Sequence, residues 1–430
     1  METKVYKISD ISKIRSGKRL PAGHSFSVEP TPFPYVRSRD IKGGKILTDN
    51  FVYLSFETRE VLQRYIIEAG DIAITIVANI GDVGYCEAHC DKANLTENAV
   101  RLTKFDKKVV DSKYLCFYLG QSYMKQYMES LAAGAAQSKL GIYKIEKIKV
   151  PLPHLPFQQK IASILSAYDS LIENNTKRIR LLEQMAENLY KEWFVRFRFP
   201  GYENTELVES KLGKLPSTFL VTNMNSIFDY YIGGGWGNDE KSDDFPIEAS
   251  VIRGADFPGV WRYDISSCPK RYHKVSNYKS RQLMDGDIIM EISGGTSEQP
   301  VGRSVLVTQD MIDRFEDGRV ICASFCKLIR LKKEEVSPYY FYYWMRYLYD
   351  TRIIGRFQLQ STGIINFKFE AFLRKGLVML PPMETMKKFE SQIIPIIKQI
   401  NKLATQNENL AKQRDALLPR LMSGKLEVKA

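Results

Sequence analysis

An internal repeat with a long period limits the possible folds of this sequence more than any other feature. Five short segments of the first half recur in the second half. These pairs are residues 36–41 and 252–257, residues 70–74 and 286–290, Gly17 and Gly233, residues 137–138 and 360–361, and residues 150–153 and 378–381. The first three pairs are 216 positions apart, and the separation then grows to 223 and 228, which insertions in surface loops explain. A period of this length indicates a duplicated domain rather than a solenoid.

Each copy mixes strand and helix patterns before it enters a long helix. Apolar runs such as residues 71–77 and 320–331 predict strands, whereas residues 112–128 and 338–349 predict helices. The prediction is an α+β fold with two mixed α/β domains, separated by two long helices, and an internal pseudo-twofold repeat. The predicted divisions are a first domain at 1–153, a first long helix and linker at 154–200, a second domain at 201–382, and a second long helix and tail at 383–430.

The two long helices carry matched apolar seams. Within residues 157–194 and 384–422, apolar residues recur in steps of three and four, which is typical of a coiled coil. The first seam consists of Ile161, Leu165, Tyr168, Ile172, Asn175, Ile179, Leu182, Ala186, Leu189 and Trp193. The second consists of Phe389, Ile393, Ile396, Ile400, Leu403, Asn407, Leu410, Arg414, Leu417 and Leu421. The alternative is that each helix packs only on its own domain, with a looser 3.6-residue period.

An antiparallel coiled coil would bring the two seams into complete register. Facing residues then have numbers that add up to 582, so that Ile161 meets Leu421 and Trp193 meets Phe389. Asn175 meets Asn407 near the centre, where a buried Asn pair costs stability but fixes the register. Tyr168 faces Arg414, which would allow the guanidinium to stack on the ring.

The length of the seams suits a spacer along DNA. At ~1.5 Å per residue each seam spans about 48 Å, which exceeds one turn of B-DNA at ~34–36 Å. Pro395 removes one helical hydrogen bond, so we expect the second helix to kink or to begin near it.

A basic excess points to a polyanionic partner. The chain has 62 Lys and Arg against 50 Asp and Glu, which gives a formal net charge of +12 and suits binding to nucleic acid. Basic candidates for DNA contact are Lys18, Arg19, Arg37, Arg39, Lys42 and Arg253, which repeats Arg37. Such side chains hold phosphates, and Arg also reads guanine edges. The alternative is an ordinary solvated basic surface.

Two pairs of polar loops supply the other candidate DNA contacts. Residues 77–82 and 293–299 follow the matched Gly-Asp strands but differ from each other, as expected of domains that read different sequences. Residues 134–139 and 358–363 precede the strands that lead into the long helices. The candidate side chains are Asn79, Thr296, Ser297 and Gln299, and then Gln137, Ser138, Lys139, Gln360, Ser361 and Thr362. Amides and hydroxyls bind base edges or phosphates, whereas the alternative for the first two loops is an ordinary hairpin turn.

The sequence shows no catalytic or metal-binding signature. The Gly-rich residues 233–237 lack the Lys-Ser/Thr of a phosphate-binding loop, and residues 380–383 lack the flanking residues that amino-methyltransferases use. Cys86, His89 and Cys90 lack a fourth metal ligand at a suitable spacing, so buried thiols are the preferred interpretation of the cysteines. We find no signal-peptide or membrane-spanning pattern, which predicts a soluble cytoplasmic protein.

Several motifs together resemble the specificity subunit of type I restriction–modification systems, and the resemblance covers nearly the whole chain. These motifs are residues 70–72 with 81–84, residues 286–288 with 299–303, residues 150–153 leading into 158–161, and residues 193–197 leading into Pro200 and Gly201. The resemblance implies two target-recognition domains, each of which reads one half of a split, asymmetric site in double-stranded DNA.

The same resemblance implies partners and excludes catalysis by this chain. The helices would dock two methyltransferase (modification) subunits, and restriction/translocase subunits would complete the complex. The chain itself would bind no cofactor, because the partner subunits would use S-adenosylmethionine, ATP and Mg²⁺. The alternatives are the recognition subunit of a related non-type I restriction or methylation system, a stand-alone DNA methyltransferase, and a coiled-coil scaffold that does not bind DNA.

Overall fold

The chain forms two compact units, each of which contains a part of both long helices. The computed structural model describes residues 2–48, 51–133, 138–296, 299–361, 364–426 and 428, except for the side chains of Gln360 and Ser361. The first unit comprises residues 1–171 and 410–430, and the second comprises residues 172–409. The long helices begin at Leu155 and Met383, next to the predicted divisions at 153/154 and 382/383.

The first unit is built from twelve strands and five short helices, with one end of each long helix. The strands are β1 (Thr3–Lys7), β2 (Lys13–Ser16), β3 (Pro34–Val36), β4 (Ile41–Lys42), β5 (Gly44–Ile46), β6 (Val52–Tyr53), β7 (Ile66–Ile67), β8 (Ile72–Thr75), β9 (Val83–Tyr85), β10 (Ala93–Leu95), β11 (Ala99–Thr103) and β12 (Lys149–Pro153). The helices are α1 (Ile8–Ile11), α2 (Phe56–Leu62), α3 (Ser112–Leu119), α4 (Ser122–Ala132), α5 (Ile142–Glu146) and the long helix α6 (Leu155–Tyr190).

A six-stranded sheet forms the centre of the first unit, in the order β2-β11-β8-β9-β5-β4. Its strands are antiparallel except for β5 and β9, which run parallel. A second sheet, β6-β3-β10-β7, contains the parallel pair β3 and β10, and β1 pairs with β12. Helices α3 and α4 cover the larger sheet, because Leu115 and Met128 share a buried cluster with Ile72 and Ile74.

The second unit is built from fourteen strands and six short helices, with the other parts of the long helices. The strands are β13 (Leu207–Ser210), β14 (Gly213–Pro216), β15 (Leu220–Asn223), β16 (Phe228–Gly233), β17 (Ile247–Ile252), β18 (Lys270–His273), β19 (Ile288–Glu291), β20 (Ser293–Gly295), β21 (Ser304–Leu306), β22 (Val320–Cys322), β23 (Cys326–Leu331), β24 (Gln358–Ser361), β25 (Ile364–Phe367) and β26 (Leu377–Leu380). The helices are α7 (Met224–Ile227), α8 (Phe257–Val260), α9 (Val275–Arg281), α10 (Gln309–Ile312), α11 (Pro338–Asp350), α12 (Phe369–Lys375) and the long helix α13 (Met383–Met422).

The second unit repeats the topology of the first, which confirms the predicted duplication and the predicted fold class. The order β16-β23-β19-β21 corresponds to β2-β11-β8-β9, and the parallel pair β17 and β22 corresponds to β3 and β10. β15 pairs with β26 as β1 pairs with β12. The copies diverge at β4, because the second unit forms the short helix α8 at the equivalent position.

One shared turn explains the matched Gly-Asp motifs. Gly70 and Gly286 have φ values of 93° and 87°, a left-handed conformation that glycine adopts without a steric penalty. The carboxylates of Asp71 and Asp287 each accept the backbone N–H three residues earlier, at 3.1 and 2.7 Å. Each carboxylate also pairs with an arginine of a neighbouring strand. The motif therefore fixes the entry into the buried strands β8 and β19.

Two predicted elements are wrong in extent. The predicted helix at 112–128 consists of two helices, because α3 ends at Leu119 and α4 begins at Ser122. The predicted strand at 320–331 consists of β22 and β23, with a turn at residues 323–325 between them. The predicted helix at 338–349 is confirmed as α11.

The predicted repeat match of Gly17 with Gly233 is wrong by one residue. Gly17 donates its backbone N–H to the carbonyl of Ala99 at 3.1 Å, and Gly234 donates its N–H to Cys326 at 2.9 Å. A Cβ atom would lie 2.0 Å from a carbonyl oxygen at Gly17 and 2.2 Å at Gly234, whereas Gly233 has no atom within 4 Å. Gly234 is therefore the equivalent of Gly17.

Both long helices form, and their seams meet in the predicted register. In the first unit, Ile161 and Leu421 belong to one buried cluster. In the second unit, the rings of Trp193 and Phe389 lie 5.9 Å apart between centroids. A π-helical turn at Lys191–Val195 follows helix α6. Helix α13 continues through Pro395 and does not begin there.

The two central asparagines lie beside each other but bond to each other's neighbours. Asn175 Nδ2 donates to Gln406 Oε1 at 3.5 Å, and Asn407 Nδ2 donates to Thr176 Oγ1 at 3.4 Å. Asn175 is buried, and the buried Oδ1 of Asn407 has no hydrogen-bond partner among the described residues. This arrangement fits the predicted register, because a slip would separate both pairs.

Arg414 is held by carboxylates. Its guanidinium lies 2.7 Å from Asp169 and 2.7 Å from Asp415. Among the described residues, Arg414 makes no ring–cation contact with Tyr168, so the predicted stacking is replaced by the ion pair with the neighbouring Asp169.

Candidate nucleic-acid interface

Four loops meet at one edge of the central sheet in the first unit. Ile76 donates its backbone N–H to Asn98 at 2.8 Å and accepts from the N–H of Leu140 at 3.0 Å. Val77 and Lys139 form an isolated β-bridge, so the predicted loop at 77–82 lies beside residues 138–139, the described part of the other predicted loop. We define the first loop cluster as residues 17–19, 76–79, 96–98 and 138–140.

The second unit forms the same edge with the same backbone hydrogen bonds. Ile292 donates to the carbonyl of Phe325 at 2.9 Å and accepts from the N–H of Phe367 at 2.8 Å. Strand β25 pairs with both β20 and β24, so residues 293–295 and 358–361 of the two predicted loops belong to one sheet. We define the second loop cluster as residues 234–236, 292–296, 323–325 and 364–367.

The first loop cluster presents cationic and hydrogen-bonding side chains. Lys18, Arg19, Asn79, Ser138 and Lys139 are all exposed. The side chain of Arg19 is 74% exposed although its Nε lies 3.4 Å from Glu97. Exposed cations beside amide and hydroxyl groups can bind phosphates and base edges. Gln137, the remaining candidate in this region, lies outside the described residues.

The second loop cluster presents apolar and small polar groups instead. Phe325 is 62% exposed, Ile364 48% and Trp236 39%. Thr296 is exposed and donates its backbone N–H to the carbonyl of Gln299 at 2.8 Å. The candidates Ser297 and Thr362 lie outside the described residues, as do the side chains of Gln360 and Ser361, although the backbone of the last two belongs to β24.

Two further basic candidates, Arg37 and Arg253, each bind an aspartate of their own unit. Arg37 and Arg253 each precede a short 3-10 turn and bind its aspartate, Asp40 or Asp256, through the backbone N–H and the guanidinium. Burial opposes ionisation of Asp256, but the bonds from Arg253 outweigh it and lower the pKa of this carboxyl. The repeated Arg-x-x-Asp pattern could have revealed this role. Any DNA contact by these two arginines stays a prediction.

The remaining basic candidates lie next to the first of these turns. Arg39 and Lys42 are exposed, on the turn Ser38–Asp40 and on β4 respectively. Neither belongs to the first loop cluster as defined by its backbone hydrogen bonds. Their contact with DNA also stays a prediction.

A buried ion pair supports the second loop cluster, and sequence reasoning missed it. Arg303 and Glu291 have side chains that are 8% and 5% exposed, with nitrogen–oxygen distances of 2.6 and 2.8 Å. Burial alone would lower the pKa of Arg303, but the hydrogen bonds to Glu291 raise it. Thr75 is the equivalent of Glu291 in the first unit. The backbone N–H of Glu291 donates to the carbonyl of Arg303, and the backbone N–H of Thr75 donates to the carbonyl of Asp82 in the same way. A glutamate in an otherwise apolar strand was the available signal.

The described residues offer little for other chemistry. They contain no group of three or more His, Cys, Asp or Glu side chains placed to hold a metal ion. All six cysteines are free, and burial raises the pKa of the Cys90 thiol to about 12. Among the helices formed by described residues, none combines the length and apolar character needed to cross a membrane.

Comparison with known proteins finds similarity to DNA-specificity domains and subunits. Residues 1–184 match the family model of the type I restriction modification DNA specificity domain. The chain is 24% identical to the type I restriction enzyme MjaIX specificity subunit of Methanocaldococcus jannaschii, over 99% of this chain and 93% of that protein. It is 21% identical to the HindI specificity subunit of Haemophilus influenzae, over 77% of this chain and 82% of that protein.

A solved structure supports the fold. The type I restriction–modification S subunit from M. genitalium aligns with 98% of this chain and 96% of its own, with a TM-score of 0.55 and 13% identity. The predicted resemblance is therefore confirmed: residues 1–184 are similar to the type I DNA specificity domain, and the chain is similar to type I specificity subunits along nearly its whole length.

Proposed function

We propose that this chain is the DNA-recognition subunit of a type I restriction–modification complex and supplies sequence specificity without catalysis. The observation that carries the proposal is that the two loop clusters share one backbone framework and differ in their exposed side chains. Two domains that read different halves of an asymmetric DNA site need this combination. The similarity to named specificity subunits supports the same function.

The proposal assigns the long helices to assembly and spacing. They dock two methyltransferase subunits and set the distance between the half-sites, and restriction/translocase subunits complete the complex. S-adenosylmethionine, ATP and Mg²⁺ serve those partners. The register bonds between the two helices within the second unit support this role, because a coiled coil with a fixed register is stiff.

Methylation mapping tests the proposal directly. Genomic DNA from a host with and without this gene is sequenced for modified bases, and we expect a split, asymmetric motif that is modified only when the gene is present. Exchanging residues 1–153 for the first domain of a related subunit should change one half of the motif. A change in both halves, or no gene-dependent motif, would contradict the proposal.

A matched insertion tests the spacing. One heptad added to α6 and one added to α13, at facing positions, should lengthen the spacer of the methylated motif and leave both halves unchanged. An unaltered spacer would show that the helices do not set the distance.

The alternative is the recognition subunit of a related non-type I restriction or methylation system. Such a chain would have the same two clusters and different partners, so the subunits that co-purify with it distinguish the two. Methyl transfer from labelled S-adenosylmethionine by the purified chain alone would instead indicate a methyltransferase.

A further inference from the structure

The second loop cluster exposes aromatic rings at positions where the first has polar side chains. Phe325 occupies the place of Asn98. The carbonyl of Phe325 accepts the N–H of Ile292 at 2.9 Å, and the carbonyl of Asn98 accepts the N–H of the equivalent Ile76 at 2.8 Å. Trp236 follows Gly234 by two residues, as Arg19 follows Gly17. The aromatic residues therefore stand where the first unit presents its cationic and amide groups.

The backbone under these rings is closely constrained. The N–H of Gly234 bonds to Cys326, and the N–H of Gly235 bonds to Cys322 at 2.9 Å. The turn that carries Phe325 is anchored at both ends, because it joins β22, which ends at the buried Cys322, to β23, which begins at the buried Cys326. An exposed ring on a fixed backbone loses little conformational entropy when it binds a partner.

A cation accompanies the indole. The guanidinium of Arg271 lies 4.6 Å from the centroid of the Trp236 ring and pairs with Asp239. The Arg271 side chain is only 13% exposed and its charge is paired, so it holds the indole in place at this edge. Exposed apolar side chains that enter between base steps unstack them and bend DNA.

We propose that Phe325 is an apolar wedge that inserts at one base step of the half-site read by the second domain, with Trp236 packing beside it. This inference rests on the proposed function. The second domain then selects its half-site partly by how easily that step unstacks, and pyrimidine–purine steps are the most easily deformed. The first domain, which has Asn98 at the equivalent position, reads its half-site without a wedge.

The experiment uses the full chain assembled with its methyltransferase subunits and a duplex that carries the mapped motif. Dyes at the two duplex ends report bending by energy transfer, and 2-aminopurine at successive positions of the second half-site reports unstacking. The wild-type complex should bend the duplex and raise 2-aminopurine fluorescence at one step. Phe325→Ala should abolish both signals and weaken binding about tenfold, the size of loss expected when one ring–base contact is removed.

Matched variants separate a wedge from a general defect. Phe325→Leu keeps an apolar wedge and should retain part of the bend. Tyr202→Ala removes a 41% exposed aromatic residue outside the cluster and should leave both signals unchanged. Because Phe325 is exposed, its replacement should not alter the unfolding midpoint of the chain.

The outcomes are distinct. Unchanged bending and fluorescence with Phe325→Ala would overturn the wedge. Failure of that variant to assemble with the methyltransferase subunits would assign the ring to a protein contact, which also overturns it. Absence of any sequence-specific binding by the wild-type complex would instead reject the proposed function.

Discussion

The first loop cluster presents lysine, arginine and amide groups, whereas the second presents phenylalanine, tryptophan and small polar groups. Equivalent backbone hydrogen bonds fix both clusters at the same edge of equivalent sheets. The comparison teaches that sheet topology and close-packed glycines set the loop positions, while the exposed side chains are free to differ. A change of binding preference therefore requires no change of fold.

The largest expected effect concerns the buried ion pair of Arg303 and Glu291, which supports the second loop cluster; the first loop cluster has Thr75 at the position of Glu291. Arg303→Met leaves the carboxylate of Glu291 buried without its partner, and such a loss costs about 3–5 kcal/mol in the free energy of unfolding. Tryptophan fluorescence during urea unfolding measures it selectively, because all four tryptophans lie in the second unit.

The matched substitution in the first unit should lower the free energy of unfolding by less than Arg303→Met does. Thr75→Val removes a hydroxyl that accepts a backbone N–H, and we expect about 1 kcal/mol. Replacing Glu291 and Arg303 together by Met should recover much of the lost stability. Equal losses for Arg303→Met and Thr75→Val would show that the two clusters do not differ in their support.

The next effect concerns the framework that the clusters share. Gly17→Ala and Gly234→Ala each place a Cβ against backbone carbonyls that cannot move easily, at an expected cost of about 3 kcal/mol. Gly233→Ala meets open space and serves as the control, with an expected change below about 1 kcal/mol. Thermal unfolding followed by circular dichroism measures all three. A larger loss at Gly233 than at Gly234 would restore the alignment predicted from the sequence.

The smallest effect concerns the side chains in which the clusters differ. Replacing Lys18 and Arg19 by Ala should lower the slope of log K against log salt by about 2, because each lost phosphate contact removes about one released ion. Trp236→Ala should weaken binding without changing that slope. Fluorescence anisotropy of the assembled complex on its DNA measures both. An unchanged slope for the double variant would exclude phosphate contacts by this pair.

The duplication and the helix register were predictable because both are patterns of residue identity along the chain. Seam positions repeat at a fixed spacing, and the pairing of Trp193 with Phe389 follows from matching two such patterns. The convergence of the loops was only partly predictable. Both loop pairs were candidates, but their contact depends on the bridge between Val77 and Lys139 and on the pairing of β20 with β25.

Residues whose role depends on burial could not be assigned from the sequence. Arg253 has the appearance of a phosphate ligand, but its guanidinium caps a turn that carries Asp256. Phe325 belongs to an apolar stretch that predicts a buried strand, and only the turn between β22 and β23 brings it to the surface. Periodicity identifies the face of an element and gives no information about a single residue in a turn.

The first unit is assembled from two distant pieces of the chain, residues 1–171 and 410–430, with the whole second unit inserted between them. During synthesis the apolar seam near Ile161 therefore leaves the ribosome long before Leu421, with which it shares a buried cluster. The second unit lacks this delay, since its residues are contiguous. We expect the domain that is translated first to be the one that completes its packing last, and to depend on chaperones in the interval.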